Sequence, residues 1–211
     1  MSVAEKRAAA VAETVTRIRN IEAQRGVTRE ALDEIRNQLL QLAARRELFP
    51  AEDFPGPNGG KGDQLHLISC DPDDRFALYL NRGTSAHDTP PHDHTTWAVV
   101  VGLQGEEHNK FYERIDGDDD APPVNGAGRG PVRGKGRGRV RVRDEFTVTE
   151  GTGVTLMPDD IHSIHMRGDN LKMFFHMYGL ALPRLTGRVK FDLDEGTYEH
   201  FPATPNISDA R

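Results

Sequence analysis

One cysteine, one tryptophan and four tyrosines are all that this 211-residue chain holds of those residue types. The lone cysteine, Cys70, excludes an intramolecular disulfide and any cysteine-rich zinc site, and is expected to be a small core residue. A chain without disulfides fits a reducing, cytoplasmic setting. Its start, MSVAEKRAAAVAETV, carries charges throughout and lacks the apolar run of a secretory signal. No apolar stretch approaches the ~18 residues of a membrane span, so no membrane association is expected. Positive charge is not in excess either. The 27 Lys and Arg stand against 33 Asp and Glu, a net of −6, which argues against general nucleic-acid binding. Hydrophobic residues make up 36% and charged residues 28%, enough apolar material for a core and against wholesale disorder. What the chain does have in quantity is histidine, nine in all.

The chain divides near residue 48. Ala8, Val11, Val15, Ile18 and Ile21 recur at three- and four-residue steps and predict an amphipathic helix, with Gly26 as its stop. Thr28 is placed to cap a second helix with the stripe Leu32, Ile35, Leu39 and Leu42. Neither stripe can be buried by its own helix, so residues 1–48 are expected to pack on the remainder of the chain. The segment FPAEDFPGPNGGKGD then breaks the pattern with three prolines and four glycines. After it come short β-rich runs separated by turn residues: Leu65–Ser69, Phe76–Leu80, Thr95–Leu103, His108–Tyr112, Phe146–Thr149, Val154–Met157 and Leu171–Tyr178. Such a series predicts a mainly β sandwich or small barrel over residues 49–211.

A Gly/Arg-rich insertion at residues 117–138 runs into a basic stretch. Gly126–Arg143 holds six glycines and seven basic residues and no acid, and without it 20 basic residues face 33 acidic ones. Its first half is expected to be a loop. From Arg137 to Arg143, arginine alternates with Gly or Val, which predicts a strand with its charge on one face. The stretch reads as an anion contact or as a solvated hairpin offsetting an acidic body. It has no interleaved aromatics to stack on bases, so nucleic acid is not the favoured partner.

The histidines carry most of the chemistry. In Pro90-Pro91-His92-Asp93-His94 the prolines force an extended approach, and His92 and His94 then point to one side while Asp93 points away. Two imidazoles on one face are half of a metal site. Seventy residues after His92, the turn Pro158-Asp159-Asp160 leads into His162, which a barrel can bring beside the first pair. Three neutral imidazoles would leave a divalent metal its full charge and open positions. His165 competes as third ligand; His162 is preferred because it follows the turn directly.

Two spacings match a superfamily. HDHTTWAVVVGLQG places Gly105 after H-x-H and a β-run, and Gly151…Pro158…His162 supplies the second element. Together they resemble the paired motifs of the cupins, small β-barrels, so the expected fold is a mainly β cupin with an N-terminal helical extension. Many cupins add a glutamate ligand four or five residues after the second histidine; Ala98 and Val99 stand there instead. A three-histidine set without glutamate is similar to that of the cysteine dioxygenase family of thiol dioxygenases. His176-Met177-Tyr178 resembles that family's H-x-Y element. The likeness covers most of the chain from Asp63 to Asp192.

This resemblance implies ferrous iron, one per chain, held by His92, His94 and His162. Dioxygen would be the co-substrate and a small thiol would be oxidised to its sulfinate. It implies that Tyr178 donates to oxygen or substrate and that His176 orients Tyr178. Phe174 stands where related bacterial enzymes often begin this relay with serine, so the relay would be shorter here. The substrate's carboxylate needs a cation, and arginine's planar fork matches it. The early-strand arginine of the animal enzymes is replaced by the Leu65 and His66 region. The later arginine of bacterial relatives preferring 3-mercaptopropionate matches Arg188, with Arg184 next. His66 could tune the pocket and Trp97 would wall it. No cysteine lies near the second ligand to cross-link Tyr178, and a monomer or weak homo-oligomer is implied.

Two other classes fit the residues. A three-histidine site with an open position also suits zinc and activated water, which predicts no oxygen uptake. A non-enzymatic ligand-binding cupin acting through its basic loop predicts that loss of the loop, and not of His92, abolishes function.

Overall fold

The computed structural model describes residues 1–58, 62–116, 135–202 and 207–211. Helix α1 (Val3–Arg25) starts with a capping box: Ser2 Oγ accepts from the Glu5 N–H, and the Glu5 carboxylate accepts from the Ser2 N–H. It ends at Gly26, whose φ of +67° is a conformation that glycine adopts without penalty. Thr28 caps α2 (Arg29–Ala43) by accepting from the Ala31 N–H at 3.1 Å. The stripe of α2 is buried as its spacing predicts. In α1 Ala8 stays exposed, and Ala10 and Thr14 complete the face with Val11, Val15 and Ile18.

Thirteen strands follow among the described residues: β1 (Asp63–Ser69), β2 (Arg75–Gly83), β3 (His87–Asp88), β4 (Ala98–Gln104), β5 (Glu107–Arg114), β6 (Gly136–Arg137), β7 (Val140–Val148), β8 (Gly153–Leu156), β9 (Ile161–Met166), β10 (Lys172–Leu180), β11 (Val189–Asp192), β12 (Thr197–His200) and β13 (Ile207–Asp209). One sheet has the order β13-β1-β2-β10-β4-β8, a second β3-β9-β5-β7, and a short third β11-β12-β6. This is a mainly β, barrel-like arrangement of sheets with an N-terminal helical extension.

Strand β10 shows how sequence positions the site. Met173, Phe175 and Met177 point out into the apolar cluster shared with Ile18, Leu39 and Val101. Phe174, His176 and Tyr178 therefore point into the barrel. Being covered on both faces, β10 is a run of buried residues from Lys172 to Gly179. Trp97 packs with the helix-facing cluster; its indole N–H donates to the Glu22 carboxylate at 2.9 Å, and its ring lies against Phe76.

Several expectations need correction. The stretch Arg137–Arg143 is not one strand: β6 pairs with β12, β7 pairs with β5, and Gly138 and Arg139 separate them. Residues 117–134, most of the Gly/Arg-rich insertion, lie outside the described residues. Cys70, just after β1, is half-buried and packs against the edge of a core cluster rather than within it. Strands β3, β9 and β11–β13 have no counterpart among the β-rich runs. Among the described residues no helix is long and apolar enough to cross a membrane.

Leu39 is fully buried between α2 and the barrel. Leu39→Ala is expected to lower the unfolding free energy by about 2–5 kcal/mol in urea titrations, with metal stoichiometry unchanged. Loss of metal binding in a folded L39A protein would show that the helices shape the site directly.

Candidate metal centre

The segment after Pro91 is held extended from both sides. The His92 N–H donates to the His162 carbonyl at 2.8 Å, and the His162 N–H donates back at 3.0 Å. On the other side the Asp93 N–H donates to Val189 and the Phe191 N–H to Pro91, at 3.2 and 2.8 Å. The Asp93 carboxylate accepts from the Val189 N–H at 3.0 Å, so its role is to tie β11 to the segment. Thr95, at φ +58°, then turns the chain towards β4. A β-branched residue in that region is strained, and its N–H is anchored on the Pro158 carbonyl at 3.0 Å.

This lattice brings three imidazoles together. Ring centroids lie 5.0 Å apart for His92 and His94, 4.7 Å for His92 and His162, and 5.0 Å for His94 and His162. One nitrogen from each falls within 4.8 Å of the others, and all three residues are buried. Burial, before any neighbouring charge, pushes all three imidazoles down. His162 falls to about 3, with further repulsion from His176 and Arg188. All three are neutral at pH 7 with lone pairs available.

The hydrogen bonds show which nitrogens are free. The Pro90 carbonyl can only accept, so His92 Nδ1, 2.9 Å away, carries hydrogen and Nε2 is bare. Asn109 donates its amide N–H to Glu107 Oε1 at 3.0 Å, which turns its oxygen to His162 Nδ1 at 2.8 Å. His162 Nδ1 therefore carries hydrogen, and its bare Nε2 faces His94 Nε2 at 3.4 Å. Converging lone pairs repel unless a cation sits among them. The residues thus fit a metal ion held by three imidazoles, and this donor set suits iron or zinc.

A cavity of about 350 Å³ opens on this face, lined by His92, His94, His176, Tyr178, Arg188 and Phe201 among others. The Tyr178 ring packs 5.3 Å from that of His94, and burial raises its hydroxyl well above the usual range, so it keeps its proton. Arg188 immediately precedes β11, which the Asp93 contact delivers to the ligand segment. It is 5% exposed, its Nε donates to the Asp93 carbonyl at 3.3 Å, and its guanidinium lies 4.6 Å over the Phe201 ring. Burial lowers its pKa, and the charge of the Asp93 carboxylate opposes that shift.

The other sequence candidates lie elsewhere. Arg184 is on the surface, paired with Asp74 at 3.0 Å. Both ring nitrogens of His66 are engaged, with the Pro55 carbonyl at 2.9 Å and Ser208 Oγ at 2.8 Å. Trp97 faces the helices. His165 sits outside the barrel between Asp88 and Ser163, both at 2.8 Å. Sequence reading missed Glu107 and Asn109, both fully buried. The signal was there: two polar residues two apart at the start of β5, on one face, just after the Gly105 turn.

No protein-family model matches the chain, and no curated protein matches its sequence. Among solved structures it is similar to the hydroquinone 1,2-dioxygenase PnpCD, crystallised with Cd2+ and 4-hydroxybenzonitrile, at 9% identity and a TM-score of 0.38, covering 69% of this chain and 68% of that one. It is also similar to KdgF from Halomonas sp., at 8% identity and a TM-score of 0.40, over 62% of this chain and 93% of that one. A third is an RmlC-like cupin from Methanocaldococcus jannaschii, at 10% identity and a TM-score of 0.36, over 60% of this chain and 87% of that one. Identities this low say nothing about activity.

Asn109→Ala is expected to weaken metal binding about 10–100-fold, measured by competition with a chromophoric chelator. Unchanged affinity would mean that His162 needs no orienting partner. Acid should destabilise the metal-free protein through the same histidines. Their folded pKa values lie below the unfolded value of about 6.5, so below that pH the unfolded chain binds protons first. Stability is then lost as pH falls below about 6.5, by up to about 1.4 kcal/mol per pH unit for each histidine. In urea titrations between pH 6.5 and 4.5, His162→Gln should make the slope shallower by about that amount; an unchanged slope would contradict the neutral-imidazole assignment.

Proposed function

We propose that the protein is a mononuclear non-haem iron thiol dioxygenase. Its substrate would be a small carboxylate-bearing thiol, 3-mercaptopropionate or a close analogue rather than L-cysteine, oxidised to the sulfinate. The observation that carries this reading is one cavity lined by His92 and His94, two of the three converging neutral imidazoles, and by the buried guanidinium of Arg188. The thiol is supported by the motif pattern: H-x-H and a third histidine without a carboxylate ligand, followed by H-x-Y.

Ferrous iron held by His92, His94 and His162 would supply the electron transfer that lets dioxygen combine with a thiolate. The chain's residues do the rest. Three neutral ligands add no negative charge, which favours a thiolate partner over a neutral thiol. Arg188 binds the carboxylate in its planar fork and sets where the sulfur end lies. Phe201 covers the guanidinium and keeps water from it, which strengthens that pairing. The Tyr178 ring packs against His94 and lines the cavity. Thiol and dioxygen together give the sulfinic acid, both oxygen atoms ending on sulfur, so no external reductant is consumed.

The test is oxygen uptake by anaerobically purified, iron-loaded protein with 3-mercaptopropionate and L-cysteine in parallel, the product identified by mass. Uptake with either thiol and a sulfinate product are expected, faster with 3-mercaptopropionate. Absence of uptake with both, despite stoichiometric iron, contradicts the reading. Arg188→Gln should raise KM for 3-mercaptopropionate about 10–100-fold, the worth of a charge-assisted hydrogen bond. An unchanged KM would place the carboxylate elsewhere.

A further inference from the structure

Glu107 is a carboxylate with no solvent exposure, facing the interior of the barrel at the start of β5. Burial of a charge is tolerated only where donors compensate it. Two donors are aimed at this one. The Asn109 side-chain N–H reaches Oε1 at 3.0 Å, and His176 Nε2 lies 3.5 Å from Oε2. Oε2 and His176 Nε2 are both buried and, among the described residues, neither makes a hydrogen bond, so each is the nearest polar group left to satisfy the other. At its far side, His176 Nδ1 lies 3.4 Å from the Tyr178 hydroxyl. Asn109, with its amide orientation set by Glu107, holds His162 Nδ1. The carboxylate thus stands at the junction of two chains of contacts, one leading to a metal ligand and the other to the tyrosine of the cavity.

We propose that Glu107 is the positioning residue of the site, fixing His162 through Asn109 and the direction of the Tyr178 hydroxyl through His176. A bare imidazole nitrogen facing a carboxylate would set lone pair against lone pair. His176 Nε2 therefore carries hydrogen and Nδ1 accepts. The Tyr178 O–H then donates to His176, and its oxygen turns lone pairs, not hydrogen, towards the cavity. This reverses the direction that the family resemblance implies for Tyr178. It also fills the gap left by Phe174, which offers His176 no polar partner. The arrangement itself stands without a reaction; its effect on turnover rests on the dioxygenase reading.

The zinc-loaded protein is diamagnetic, so the tautomers can be read by long-range ¹H–¹⁵N correlation of ¹⁵N-histidine protein at pH 8, assigned with His176→Gln. Wild type should show His176 as the Nε2–H tautomer and His162 as Nδ1–H. In Glu107→Gln the amide oxygen can still accept from Asn109, while its NH2 faces His176. His162 should stay Nδ1–H and His176 should switch to Nδ1–H. A thermal melt confirms that the variant is folded. Should Glu107→Gln fail to fold, the wild-type tautomer alone decides. An Nδ1–H or doubly protonated His176 in wild type, or no switch in a folded E107Q protein, overturns the proposal. With iron, Glu107→Gln should lower kcat about 10–100-fold while KM for 3-mercaptopropionate and iron affinity stay within about threefold. Equal losses in all three would mark a merely structural residue. If wild type consumes no oxygen with any thiol, the dioxygenase reading fails and the tautomer result still judges Glu107.

Discussion

Two reciprocal backbone hydrogen bonds between His92 and His162 anchor the candidate metal centre. They join the proline-led segment to β9 and set two imidazoles side by side, with His94 completing the triangle two residues further on. The same segment receives β11 on its other edge, through Asp93 and Pro91, and so brings Arg188 to the cavity. The three candidate ligands and the candidate anion clamp are placed by one strip of backbone pairing. A slip of one residue would turn both His92 and His94 out of the barrel.

The interior this pairing creates is costly. A folded barrel of this size would ordinarily fill its centre with apolar side chains. Here His92, His94, His162, His176, Glu107, Asn109 and Arg188 are buried together. Most of their polar atoms are satisfied in pairs, and the orphans are informative: His94 Nδ1, Glu107 Oε2 and His176 Nε2 have no hydrogen-bond partner. The strained φ of Thr95 belongs with them. Such features persist where the surrounding structure over-determines them, and here the surround is the dense apolar layer of α1, α2, β2, β4 and β10.

Local pattern made much of this legible. Capping at Thr28, the stop at Gly26 and the stripe of α2 are short-range physics, as is the common side shared by His92 and His94. The grouping of His162 with that pair was legible because the run that became β8 leads into the Pro158 turn just before it, although β9 itself escaped notice, its polar residues interrupting the apolar run. Facing was harder. Trp97 adjoins the ligand segment in sequence yet packs on the helices, because side chains alternate and its neighbours determine which face meets which layer. His66 and Arg184 are satisfied by Pro55, Ser208 and Asp74, distant in sequence. Beyond their bond to each other, Glu107 and Asn109 reach His176 and His162, about fifty to seventy residues away, and no local spacing encodes that.

Everything proposed for this site requires that the three histidines hold iron at a position open to a thiolate. X-ray absorption at the iron edge of the loaded protein, under anaerobic conditions and with or without 3-mercaptopropionate, tests this most directly. Imidazole scattering from three histidines is predicted in the resting protein, with a new sulfur scatterer when the thiol is added. Imidazole scattering that persists with no sulfur at any thiol concentration would contradict it.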